Sequence, residues 1–283
     1  MLNTVVLWGA GLAAASAATT QPARSLAASI PADAMVVYFN RPPADLRDQA
    51  QVAARVASLL VTASVFGVVP SQWQGLTDAA SCLPLIGARD HAVALLDVSS
   101  RQYGPRSYRL EQLKLALLLR TGRHNEQIVA QVRRLLSRYT NRSLARLETI
   151  QIGQDRFQRL ADSRLPGWAV IAFGPLDDLY VLTLGRGAYQ RVLAAHRGRL
   201  ARLADDAWFD QAHRRTGGPD ALVEWMIDWQ RIRSRLGQVV QGRPQAVIDQ
   251  LGFAGVQRGL WSIRMVGPAM AWFGMHRGPG GDR

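Results

Sequence analysis

Two short turn signatures constrain this chain more than any other feature in it. Residues 147–152 and 157–161 are joined by Gly153-Gln154-Asp155, and residues 168–173 and 180–184 by Pro175-Leu176-Asp177-Asp178. Glycine and aspartate tolerate the backbone angles of tight hairpins, so each pair of segments is expected to run antiparallel. Further β-branched or apolar runs at 34–40, 91–98, 110–120, 222–229 and 260–266 read as strands. The 110–120 run is expected beside 91–98, with Gly104-Pro105 inside a long connection. Amphipathic helices are expected after Asp45 (Val52, Val56, Leu59 and Leu60 on one face), over 71–85, 125–139 and 188–195, and again after Asp205 as N-cap. Strands and helices alternate irregularly and the hairpins are antiparallel. The expected fold class is therefore α+β, antiparallel sheets with helices packed against them, rather than a Rossmann-type sheet.

A weak internal repeat refines this expectation. Asp33-Ala34-Met35-Val36-Val37-Tyr38 is similar to Asp220-Ala221-Leu222-Val223-Glu224-Trp225, each following a proline-containing turn. Helix-like residues, a glycine break and a late strand come after each, which suggests a duplicated strand–helix–helix–strand unit. The expected organisation is a signal peptide over 1–18, a leader over 19–29 and an α+β domain over 30–216. A second, incomplete copy follows over 217–276, packed on the first, and then a flexible tail over 277–283.

Hydrophobic residues make up 48% of the 283 and charged residues 19%. That is ample for a core and too apolar for a disordered chain. The one cysteine, Cys82, permits no intrachain disulfide and no cysteine-built zinc site, and its apolar neighbours favour an inert thiol. Five isolated histidines give no metal-binding spacing. No metal and no cofactor are expected.

The formal net charge is +13, and of the 34 basic residues all but Lys114 are arginine. Residues 120–146 and 185–202 concentrate them, with Glu126 the lone acid across both stretches. Arginine grips phosphate and carboxylate bidentately, so Arg133, Arg134, Arg138, Arg186 and Arg191 are the candidate anion-binding residues. The plainer reading is solvated helix faces in a chain from a GC-rich genome.

Residues 1–23 carry no charged side chain, and 5–18 form an apolar, alanine-rich run ending near Ala15-Ser16-Ala17. The run has the length of a secretory h-region and the small-x-small pattern of a cleavage site, and it falls short of a comfortable membrane span. The expected location is periplasmic or secreted, with no membrane span in the mature chain. Three segments support a resemblance consistent with export: Ile30-Pro31-Ala32-Asp33, residues 203–209 (Leu-Ala-Asp-Asp-Ala-Trp-Phe) and residues 251–256 (Leu-Gly-Phe-Ala-Gly-Val). Together they resemble a family of large exported bacterial proteins grouped under a domain of unknown function, common in Arg- and Ala-rich genomes. Members tend to be longer, so the resemblance implies a short version lacking later strands. It implies no catalytic residues.

Candidate chemistry is sparse. No Gly-x-Ser-x-Gly nucleophile elbow occurs. Gly185-Arg186-Gly187 stands at a strand-to-helix turn, but Gln190 occupies the third glycine position of a dinucleotide fingerprint. Asp206, Asp210 and His213 share a helix face, as metal ligands or as charges suited to the helix dipole. Glu224 and Asp228 are the weak catalytic candidates. On a strand they would stand ~13 Å apart on a solvated face, opposite Val223, Trp225, Ile227 and Trp229, beyond the ~5–9.5 Å of glycoside hydrolysis; on a helix they would be neighbours. Trp208, Trp225, Trp229, Trp261 and Trp272 read as core, or as stacking platforms if exposed. The sequence therefore leans towards a non-enzymatic binding or scaffolding module of the cell envelope, whose partner is an anionic envelope polymer or another envelope protein. The alternatives are an envelope glycan hydrolase using Glu224 and Asp228, and a nucleic-acid binder if the N-terminus is no signal.

Overall fold

The structure is a computed structural model. It describes residues 26–42, 89–121, 145–240 and 255–278 except 105–106 and 267–268, together with residues 6–7, 126, 129–130, 132 and 281–282. The signal run beyond residues 6–7, the two helices expected between 45 and 85, Cys82, and Arg133, Arg134 and Arg138 lie outside the described residues.

Among the described residues every strand joins one sheet. In chain order they are β1 (Val6–Leu7), β2 (Val36–Asn40), β3 (His91–Gly104), β4 (Ser107–Arg120), β5 (Arg146–Ile152), β6 (Asp155–Ala161), β7 (Ile171–Leu176), β8 (Leu179–Leu184), β9 (Ala221–Asp228), β10 (Arg258–Val266), β11 (Ala269–Gly278) and β12 (Gly281–Asp282). The spatial order is β1-β11-β10-β9-β2-β3-β4-β8-β7-β6-β5, with β12 folded back on β11, and every pairing is antiparallel. Three helices accompany the sheet among the described residues: α1 (Ala188–His196), α2 (Ala207–Thr216) and α3 (Trp229–Val240).

This corrects the expected α+β class. Over the described residues the molecule is a single β-rich antiparallel sheet with three helices, rather than several sheets with helices packed against them. Two stretches of strand carried no clear signal. Residues 99–104 and 107–109, expected as a connection, extend one long hairpin, and residues 269–278, at the end of the expected second copy, form a full strand where no strand was expected. Both are broken by glycine or polar residues, which masks their period of two. The sheet also runs unbroken past residue 216, because β9 pairs with β2 at its centre. The segments likened in the sequence lie side by side there, with Tyr38 directly opposite Trp225.

The hairpins are locally specified. β5 and β6 turn at Gly153, with φ of 62°, and β7 and β8 turn at Asp177, with φ of 52°. Both conformations suit those residue types. Helix α2 begins one residue later than expected. Its N-cap is Asp206, whose carboxylate accepts a hydrogen bond from the Phe209 amide at 2.8 Å, while Asp205 ends a short 3₁₀ turn.

Cross-strand register sorts the two faces. One row reads Met275, Leu260, Met226, Val37, Ala94, Ala116, Thr183, Ala172, and every member is buried. Helices α1 and α2 cover this face, presenting Tyr189, Val192 and Leu193, and Trp208, Phe209 and Ala212, at helical spacing. Three alanines in the row keep the sheet surface low beneath them. Leu26, Ala27 and Ile30 are also fully buried in this core, so the end of the expected leader is structural. The neighbouring row reads Gly274, Trp261, Trp225, Tyr38, Val93, Leu117, Leu182, Phe173 on the opposite face. Ile232 and Leu236 of α3 pack on part of that face, and Val129 and Val132 on another part.

Candidate functional site

Three polar clusters, two buried and one partly exposed, hold most of the titratable chemistry that the structure brings together. The first joins β9, α2 and the residue following β2. Glu224, fully buried, uses both oxygens: Oε2 accepts from Arg41 Nη2 at 2.5 Å, and Oε1 lies 2.6 Å from His213 Nδ1. Arg41, also buried, donates Nη1 to the carbonyls of Gly218 and Ala221 at 3.0 Å each. His213 stacks on Phe209 one turn earlier in α2. A charged pair out of water persists only when its remaining donors and acceptors are matched, as here.

The second cluster sits four residues further along β9. Asp228 caps α3 by accepting from the Arg231 amide at 2.9 Å, and its other oxygen faces Arg258 Nε at 3.4 Å. Arg258 also donates to the α2 cap Asp206 at 3.0 Å and lies over the Trp208 ring, 4.6 Å from its centroid. One guanidinium thus ties two helix N-termini to β10.

These contacts correct the face assignment for β9. The segment is a strand over residues 221–228, but Glu224 and Asp228 point into the helix-covered core, while Trp225 and Ile227 on the other face are half-buried. The alternation of polar and apolar residues was real, and its sense was inverted. Apart from Arg231, three residues beyond Asp228, partners for the carboxylates come from α2, β10 and residue 41, outside the strand and the turn that follows it. Both carboxylates are consumed by guanidinium, imidazole or backbone groups, whereas glycoside hydrolysis needs two carboxyl groups facing a shared sugar.

The third cluster escaped sequence reasoning altogether. His196, the last residue of α1, has Nδ1 2.8 Å from Ser29 Oγ and Nε2 2.7 Å from Asp177 Oδ2. Arg197 extends it, bridging Asp177 at 3.1 Å and Asp155 at 2.6 Å. The hydrogen bond from His196, helped by Arg197, holds the Asp177 carboxyl below the usual carboxylate range. Its bond to Asp155 in turn raises Arg197. Serine, histidine and aspartate in contact invite comparison with a hydrolase triad. Here Ser29 is fully buried, and the serine and aspartate contact the opposite ring nitrogens from those of that arrangement. The cluster pins the 26–30 turn to the tips of two hairpins. A short signal for it did exist, a histidine closing a helix beside the 177 turn, but Ser29 stands 167 residues away.

The described arginines of the 185–202 stretch are largely neutralised in space. Arg186 donates to the Gly167 carbonyl at 2.7 Å, Arg191 binds both oxygens of Asp33 at 2.5 and 2.6 Å, and Arg202 clasps Asp205. With Arg197 held by Asp155 and Asp177, the exposed Arg199 keeps no ion pair among the described residues. It lies at the rim of a shallow depression with Gly153, Gln154 and Asp155.

The remaining sequence candidates separate. Asp206, Asp210 and His213 each take a different partner: Arg258, Arg214 and Glu224. No group of three metal-ligating side chains occurs among the described residues. At the Gly185 turn, the amides of Gly185 and Arg186 are spent on the carbonyls of Val170 and Trp168. A Cβ on Gly185 would stand 2.0 Å from the Leu113 carbonyl oxygen, so close strand packing accounts for this glycine. Trp208 is core, as expected. Trp225 and Trp272 stack on each other on the less covered face, with Trp272 37% exposed. Trp261 lies across Gly259 and Gly274, where its ring occupies the space a side chain would need.

The fold and clusters define a class: among the described residues, a single antiparallel sheet with two helices covering one face and a third against part of the other, and buried ions paired internally. Comparison with protein-family models, with curated proteins and with solved structures returned no match. No helix among the described residues is long and apolar enough to cross a membrane.

Proposed function

We propose that this chain is an exported, non-enzymatic binding or scaffolding module of the bacterial cell envelope. The observation that carries the reading is the closure of its acid–base clusters. Glu224 and the Ser29 hydroxyl are fully buried, and the groups around them are bonded to one another. Catalytic acids, bases and nucleophiles must instead present an atom to substrate. Export is supported by the uncharged N-terminal run and the small residues around Ala17.

The test is the intact mass of the protein from cytoplasmic, periplasmic and membrane fractions, joined to a turnover assay on isolated envelope glycan. A periplasmic species beginning near Ala18 with no glycan cleavage is the expected result. Glycan cleavage abolished by Glu224→Gln in a folded variant would overturn the non-enzymatic reading. Full-length protein confined to the cytoplasm would overturn export and return nucleic acid as the ligand to test.

A further inference from the structure

The β3–β4 hairpin is longer than the sheet that holds it. β3 pairs with β2 only over residues 91–95, and β4 pairs with β8 only over residues 115–120. Beyond those limits the two strands pair, among the described residues, only with each other, from Val98 opposite Leu113 out to Gly104 opposite Ser107. The result is a two-stranded ribbon that leaves the body of the sheet. Its base is apolar and covered: Val98, Leu110 and Leu113 join the cluster beneath Ile232 and Leu236.

Its far end has the opposite character. Arg101 stands directly opposite Arg109, and both are exposed. Tyr103, in a local bulge, is 76% exposed and Tyr108 is 39% exposed. The acid nearest to Arg101, Glu111, lies 3.9 Å away with both side chains open to water, a weak contact. Like charges placed directly across two strands destabilise the pairing. The opposed guanidiniums at the ribbon end are therefore a place where an external anion relieves the repulsion.

We infer that the far end of this ribbon docks on the anionic headgroup layer of a phospholipid bilayer. Charge complementarity argues for it: two opposed guanidiniums on a chain of net charge +13 meet a surface dense in phosphate. The tyrosines argue for a bilayer over a soluble polymer. A phenol ring with an apolar body and a polar tip suits the headgroup level, and a narrow ribbon end meets a broad surface without needing a groove. The docking is peripheral, and it goes beyond the envelope-module reading because it does not depend on export.

The test is sedimentation of the full chain with vesicles of phosphatidylglycerol and phosphatidylcholine against vesicles of phosphatidylcholine alone. Binding to the anionic vesicles is expected, falling with added salt, and weakening by about fivefold for each arginine removed in R101S and R109S. Y103S/Y108S should weaken binding at high salt, where the aromatic share dominates. Hydrogen exchange of the unmodified chain, with and without vesicles, gives a readout that no substitution can disturb: amides of residues 99–104 and 107–113 should gain protection. Anionic-vesicle binding unchanged in folded R101S/R109S, or no protection of the ribbon on bound vesicles, would overturn the proposal. So would binding to soluble polyphosphate with none to vesicles, which would assign the ribbon to a polymer.

Discussion

Glu224 Oε1 and His213 Nδ1 lie 2.6 Å apart inside a protein where no water-exposed atom of the carboxylate remains, and Arg41 grips the other oxygen. The imidazole and the guanidinium reach that carboxylate from elements far apart in sequence. The contact therefore joins α2 and the end of β2 to the centre of the sheet.

Removing one member of this cluster strands the others. Glu224→Ala leaves the Arg41 guanidinium buried without its carboxylate, and is expected to cost about 3–5 kcal/mol. Replacing both, as R41M/E224L, is expected to cost less than the sum of the single changes, because no uncompensated charge stays behind. Urea denaturation of Glu224→Ala, R41M, E224L and R41M/E224L measures both quantities. Additive losses would mean that the pair is not coupled.

The Asp177 carboxyl is held below the usual carboxylate range, first by the hydrogen bond with His196. A carboxyl depressed in the folded state stabilises it above the unfolded value, and that contribution disappears as pH falls through the folded value. The stability gap between the native chain and Asp177→Asn should therefore be constant near pH 6–7 and close in the acid range below about pH 4. His196→Ala should remove most of the gap at neutral pH. Chemical denaturation across that range checks the sign.

Gly185 and Gly153 both adopt positive φ, at 115° and 62°, yet alanine should affect them differently. At Gly153 nothing lies within 4 Å of a new Cβ, so the cost is backbone strain of about 1–2 kcal/mol. At Gly185 the Cβ meets the Leu113 carbonyl at 2.0 Å, and β4 must move away from the turn. Gly185→Ala is expected to exceed Gly153→Ala by at least about 2 kcal/mol. Equal losses would show that β4 yields freely.

Gly274→Ala tests the indole above it. The added Cβ would stand 2.7 Å from Trp261 Cδ1, forcing the ring off the sheet. A shift in tryptophan emission towards longer wavelength is expected in Gly274→Ala. It should be much smaller in a variant that also carries Trp261→Phe. Unchanged emission in the single variant would mean that the ring is not held flat.

The sequence by itself determined the features that depend on a few adjacent residues. The hairpins at Gly153 and Asp177 and the helix from Ala188 follow from turn chemistry and periodicity, which act over one or two turns of chain. Residues 221–228, by contrast, were open to strand or helix until β2 and β10 paired with them. The cap of α2 was legible to within one residue, because Asp205 and Asp206 both suit the position. Tertiary structure alone decided which face of β9 is inside. Period-two alternation fixes that Glu224 and Asp228 share a side, and the side that is buried depends on Arg41, His213 and Arg258 arriving from elsewhere. The same holds for the arginines: Arg191 finds Asp33 across 158 residues, so a stretch without acids in sequence is paired in space. Sheet extent was also beyond local reading. Residues 99–104 and 269–278 become strands because a neighbouring strand supplies their backbone partners, and no short window of sequence contains that neighbour.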